Sequence, residues 1–158
     1  MPFLLFISLF LEIGFNVNPN PENKEKLYTV SKVTDGDTFI IKDGSNVIKV
    51  RLIGIDAPES HPSKYKQIGF YGAESKIYLS NLIFNKKVKL VYDIGRKDKY
   101  GRTLAYVYLT NGVFVNAQLI LQGYAKVLTV PPNVKYASLF VSLQKKARSS
   151  KKGLWMEK

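Results

Sequence analysis

The chain has 158 residues, 46% of them apolar, with no cysteine, one histidine (His61), and 24 Lys and Arg against 12 Asp and Glu, a formal charge of +12. That is enough apolar material for one buried core, and it excludes disulfides, thiolate metal sites, a cysteine nucleophile and any multi-histidine site. A metal ion would have to be held by oxygen, which favours calcium, magnesium or manganese, and the positive charge points to a polyanion, either nucleic acid or an anionic membrane surface.

Residues 1–15 carry an apolar stretch, FLLFISLFLEIGF, broken only by Glu12. It has the length of a signal-peptide core and is short for a membrane span. No Lys or Arg precedes it and no A-x-A site follows, so an export signal and a retained anchor both stay open, export being preferred; either places the protein outside the cell or on its surface. Asn16–Lys26, rich in Pro and Asn, reads as a linker, leaving 27–158 as one domain. Strands are predicted over Leu27–Val33, Thr38–Lys42 and Val47–Ile55, the last two joined at Asp43-Gly44, a hairpin turn. Further strands are expected over Lys87–Tyr92 and Thr103–Leu109, the latter closed by Asn111-Gly112. Helices are expected over Ala73–Phe84 on Ile77, Leu82 and Ile83; over Asn116 to about Gln122, with Asn116 as cap and Gly123 as stop; and from Lys135 onward on Tyr136, Leu139, Phe140, Leu143 and Ala147. Strands first and helices mostly late give an α+β fold with a small, mainly antiparallel sheet or barrel.

Four carboxylates, Asp35, Asp37, Asp56 and Glu59, fall within 25 residues of this basic chain. Carboxylates brought close together repel unless a cation or proton is shared. On an extended strand Asp35 and Asp37 would face one side, with Gly36 leaving room for close approach; DGDT alone also fits an ordinary Asp-Gly turn. Arg51 and Asp56 have odd separation and would face opposite sides of a regular strand, so a shared site requires a bend, for which Gly54 is the obvious place. Pro58 then ends the strand and fixes the turn presenting Glu59. The plainer alternative makes Arg51 a structural ion-pair partner of an aspartate. Asp98-Lys99-Tyr100-Gly101-Arg102 supplies a second arginine, and two guanidiniums can fork around a phosphate; a solvated turn is the bland alternative. Basic runs at Lys86–Lys89, Arg96–Arg102 and Lys145–Lys152 fit a polyanion or, for the last, a solvated helix face.

DGDT, RLIGIDAPE and DKYGRTLAYVY, in this order and at these spacings, closely resemble the staphylococcal nuclease (thermonuclease) family, from about Tyr28 to Trp155. The resemblance implies an OB-fold-like five-stranded barrel with three α-helices, and a monomeric, calcium-dependent endonuclease that cuts DNA and RNA and leaves 3′-phosphate ends. It implies Asp37, Asp56 and the Ala57 backbone carbonyl as calcium ligands, and Asp35 as a carboxylate that reaches the ion through water. Glu59 would be the general base, Arg51 and Arg102 the phosphate-binding pair, and Lys99 and Tyr100 would line the nucleotide pocket; the loop His61 to Tyr71 departs from the family in sequence, and within it Lys64 and Lys66 are the expected phosphate contacts. Ala57 replaces a family threonine of which only the carbonyl is needed, and about Thr129 and Pro131 stand where the family has two base-flanking tyrosines. The rival reading is a non-catalytic OB-fold module that binds single-stranded nucleic acid, for which three ligand-type carboxylates, a base and two arginines have no use. A membrane-surface protein is a third, resting on charge and the apolar N-terminus.

Overall fold

The computed structural model describes residues 26–62 and 67–156. The apolar segment, nearly all of the linker, Lys64 and Lys66 lie outside these residues. Among the described residues, no helix is long and apolar enough to cross a membrane.

Five strands close a barrel in the order β1 (Leu27–Asp35), β2 (Thr38–Asp43), β3 (Asn46–Leu52), β6 (Thr103–Leu109) and β5 (Lys87–Val91). All neighbours are antiparallel except β3 and β6, which run parallel with Val50 opposite Thr103 and Arg51 opposite Leu104. The β2–β3 hairpin turns at Gly44, whose φ of 61° suits glycine at the tip. Period-two alternation sends Phe39, Ile41, Val50 and Leu52 into the barrel, where they are buried. Each such side chain contributes about 1.5–3 kcal/mol on leaving water. The same alternation leaves Arg51, between Val50 and Leu52, on the outer face.

Three helices cover the barrel: α1 (Gly72–Ile83), α2 (Val115–Leu121) and α3 (Ala137–Ser149). Helix α1 buries Leu79 and Ile83 but leaves Ile77 exposed. Its small residues are the reason, since Gly72 and Ser75, both buried, set the face that packs. On α3 Phe140 and Ala147 are buried and Leu139 is exposed. Phe140 joins Tyr106, Phe114 and Tyr136 in an aromatic layer with edge-on contacts, Tyr106 to Tyr136 at 4.6 Å and 89°.

Two local expectations are corrected. The segment 47–55 is not one strand: β3 stops at Leu52, the chain turns at Gly54 (φ 79°), and a two-residue strand β4 (Ile55–Asp56) pairs with β7 (Lys126–Val127). A Cβ on Gly54 would lie 2.5 Å from the Phe140 ring, so the bend is fixed by α3 as well as by φ. Nor does Asn116 cap α2. The helix starts one residue earlier, after Phe114, and Asn116 is fully buried. Its amide donates to the Ile53 carbonyl (2.9 Å) and accepts from the Val107 N–H (2.9 Å), bracing the turn before Gly54 against β6. Asn116→Ala would leave a buried donor and acceptor unpaired, at about 1–3 kcal/mol each. The expected result is a loss of about 2–4 kcal/mol of stability, read from urea unfolding; a loss below about 1 kcal/mol would refute the bracing role.

Candidate active site

The bend at Gly54 brings Arg51 and Asp56 to one side. Arg51 donates from Nη2 to Asp56 Oδ1 at 2.9 Å, and its Nη1 lies 2.7 Å from Asp37 Oδ2. One guanidinium therefore sits between two carboxylates. Asp37 is nearly buried, whereas the Asp56 side chain is more than half exposed. The Arg51–Asp37 contact is an ion pair without a directed hydrogen bond, because Nη1 is buried and lacks a well-aligned acceptor.

Asp35 and Asp37 do not share a strand face. Asp35 ends β1, and Gly36 and Asp37 form the turn into β2, so DGDT is both a turn and part of the cluster. Asp37 Oδ2 accepts from the Ala57 N–H at 2.8 Å, and Oδ1 accepts from the Thr38 hydroxyl at 2.9 Å. Burial pushes the Asp37 carboxyl above its usual range; the Arg51 charge and the Ala57 and Thr38 hydrogen bonds pull it down without cancelling that rise. Asp35 turns to backbone instead, accepting from Gly36 N–H (2.9 Å) and Ser60 N–H (3.1 Å). Among the described residues, no three His, Cys, Asp or Glu side chains gather as a metal-binding group. Asp37 and Asp56 meet at Arg51, and Asp35 is held to one side. Gly36 is needed for this closeness, since a Cβ there would come within 2.7 Å of the Ala57 Cβ and 2.8 Å of the Ser75 Cβ.

Glu59 follows Pro58 and is half-buried. Its carbonyl accepts from the Gly69 N–H at 2.9 Å. Gly72, which opens α1, is pressed so closely on this peptide that a Cβ would lie 2.1 Å from the Glu59 carbonyl oxygen. That neighbour is backbone and cannot rotate aside. Gly72→Ala must therefore displace Glu59, and kcat is expected to fall about 10²-fold, the scale of a 1 Å misplacement of a catalytic group. Steady-state kinetics beside a melting curve check it; an unchanged kcat in the folded variant would show that Glu59 does not need this seat.

Arg102 enters from the other side of the parallel pair, just before Thr103, which lies opposite Val50. Asp98 grips it: Oδ2 accepts from Arg102 Nε at 2.6 Å, and Oδ1 accepts from the backbone N–H groups of Tyr100 and Arg102. Burial alone would raise the Asp98 carboxyl, but the Arg102 and Tyr100 hydrogen bonds outweigh it and hold it below the usual range. The turn uses Gly101 at φ 77°. Tyr100 lies on the surface, 72% exposed, with Lys99 Nζ 5.1 Å and the Arg102 guanidinium 5.5 Å from its ring. Sequence reasoning did not single out Asp98 for this role. The signal was present in Asp-x-x-Gly, a turn in which an aspartate bonds the backbone two residues on.

A groove of about 400 Å³ is lined by Arg51, Asp98 and Lys99 and by the apolar Leu104, Leu128, Val130 and Pro131; it touches the site at Arg51, while Asp37, Asp56, Glu59 and Arg102 do not line it. Asn133, to which sequence reasoning gave no role, also lines the groove and is fastened to the loop before Arg96, exchanging two hydrogen bonds with the Gly95 backbone at 2.7 and 2.8 Å. His61 is engaged by the Ser60 hydroxyl and the Lys76 ammonium and does not join the carboxylates.

The family model for staphylococcal nuclease homologues matches residues 49–157. The chain is 43% identical over 130 residues to the thermonuclease of Staphylococcus intermedius, an alignment covering 81% of this chain and 75% of that protein. It is 39% identical over 132 residues to the thermonuclease of Staphylococcus hyicus, covering 83% and 76%. With endonuclease YncB of Bacillus subtilis it shares 35% identity over 142 residues, covering 87% and 66%. A closed five-stranded barrel with three helices, matched along most of its length by nucleases, leaves the non-catalytic module without support: the chain belongs to the staphylococcal nuclease family and is a nuclease, a hydrolase of phosphodiester bonds.

Proposed function

We propose that the chain is a calcium-dependent endonuclease that cuts DNA and RNA and leaves 5′-hydroxyl and 3′-phosphate ends. The observation that carries this reading is the seat of Arg51 between Asp37 and Asp56. At that spot two carboxylates, one of them buried, are balanced by one positive charge. The donors are all oxygen, and Arg51 only partly offsets the rise that burial imposes on Asp37. That suits a hard divalent cation, which adds charge and takes oxygen ligands. Asp37, Asp56 and the Ala57 carbonyl would hold it, with Asp35 acting through water; the remaining positions fall to water and substrate. Bound there, calcium supplies a Lewis acid for a phosphoryl oxygen.

The chain's own groups do the rest. Glu59 takes a proton from water as the water oxygen forms a bond to phosphorus, while the bond from phosphorus to the 5′ oxygen breaks in line and that oxygen leaves with a proton from solvent. Arg51 and Arg102 hydrogen-bond the phosphoryl oxygens as negative charge builds on them, and Asp98 aims Arg102. Lys99 and Tyr100 border the nucleotide next to the groove, and Lys64 and Lys66 contact phosphates. With Thr129 and Pro131 where the family has tyrosines, the groove offers apolar walls rather than stacking rings.

Digestion of plasmid DNA and of RNA in calcium, magnesium or chelator tests the proposal. Calcium is expected to support cleavage, chelator to abolish it, and the product ends to resist polymerase extension until a phosphatase has acted. Undiminished cleavage in chelator would sink the metal-dependent mechanism. Protein recovered from culture medium for this assay also reports, by its mass, whether residues 1–15 are removed on export.

A further inference from the structure

Between Asp98 and Glu157 the chain contains no acidic residue, while basic ones continue from Lys99 to Lys152. Three of these gather outside the groove. Lys126 on β7 pairs in register with Asp56 on β4, and paired residues on a two-stranded ribbon project to the same side. The adjacent Val127 N–H donates to Gln144 Oε1 at 2.8 Å, tying β7 to α3. One turn beyond Gln144, the Arg148 guanidinium lies 4.2 Å over the Trp155 ring, and Lys126 Nζ lies 5.9 Å from the centroid of the same ring. Lys145, three residues before Arg148, neighbours it on the helix surface. All three cations are exposed.

We infer that Lys126 and Arg148, which flank Trp155, and Lys145 beside Arg148 on the helix form a second phosphate track that begins beside Asp56 and holds a nucleic-acid strand beyond the nucleotides at the cut. The inference rests on the nuclease reading and extends it, since a long strand seated at Asp56 must leave the site across some neighbouring surface. Charge complementarity selects the occupant: the track is basic, without an acidic residue in its stretch of chain, and meets the site at its exposed carboxylate. The cation–π contacts hold two of the cations in place before a strand arrives, so less side-chain freedom is lost on binding. A partly exposed ring among cations is also the arrangement on which single strands stack and track. The consequence is a preference for polymers over short substrates that depends on salt.

Trp155 is the one tryptophan of the chain, so its emission reports the track directly. In Glu59→Gln, titration with single-stranded DNA of about 12 nucleotides is expected to change Trp155 emission, and a dinucleotide is expected not to. In a second arm, labelled-DNA anisotropy compares Glu59→Gln with the same chain carrying Lys126→Gln, Lys145→Gln and Arg148→Gln. The dissociation constant is expected to rise on the order of 10-fold or more at low salt, and the salt slope to fall by about 2, at about 0.7 for each phosphate no longer neutralised. With Glu59 intact, the triple variant is expected to cut a dinucleotide at the unsubstituted rate, which also shows that it folds. Equal losses on dinucleotide and long strand, or an unchanged salt slope, would overturn the track. So would phosphatidylserine vesicles that shift Trp155 emission when the long strand does not, since that assigns the face to a membrane. Failure of the unsubstituted chain to cut either substrate would instead overturn the nuclease reading on which the track rests.

Discussion

Arg51→Ala is expected to lower kcat about 10³- to 10⁵-fold, the range found when an arginine that neutralises a phosphoryl transition state is removed. Stability should fall with it. Asp37 is nearly buried, and Arg51 is its charged partner at 2.7 Å; removing one member of a buried pair costs about 3–5 kcal/mol, because the other charge is left alone. Arg51→Lys separates the two effects. It keeps a positive charge beside Asp37, so most of the stability should return, but an ammonium cannot reach Asp37 and Asp56 together with a planar fork. Turnover should therefore stay depressed. Kinetics and thermal unfolding on both variants check this. A lysine variant with near-normal kcat would mean that Arg51 is the structural ion-pair partner that the plainer reading of the sequence allowed.

Glu59→Gln is expected to lower kcat about 10²- to 10⁴-fold, the usual contribution of a positioned general base. It keeps the side chain's size and the carbonyl contact to Gly69, so substrate binding and stability should hold near their normal values. Glu59→Gln and Gly72→Ala then form a pair: the first removes the base, the second moves it. If Glu59 is the base, adding Gly72→Ala to Glu59→Gln should cost little more, because a base that is absent cannot be misplaced. Full activity in Glu59→Gln would end this assignment of roles.

Strand positions and turns were legible because their causes are local. Alternation in TFIIKD and NVIKVRL, and Asp43-Gly44 between them, specify the hairpin seen as β2 and β3. The need for a bend at Gly54 also followed from sequence, since Arg51 and Asp56 could meet in no other way. The motifs at Asp35–Thr38, Arg51–Glu59 and Asp98–Arg102 identified the family without reference to how they pack. The partners of those motifs stayed hidden, because they come from distant parts of the chain. Asn116 looked like a helix cap by residue type, yet its amide braces Ile53, 63 residues away. Ser75 looked like an ordinary helix residue and Gly72 lay just before the expected helix, yet the first lies against Gly36 and the second against Glu59. The sequence by itself determined the barrel's strands, the basic character and the candidate carboxylates and arginines. Tertiary structure alone decided that Arg51 would sit between Asp37 and Asp56 while Asp35 turned to backbone, because that choice depends on how little room α1 and the Gly36 turn leave each other.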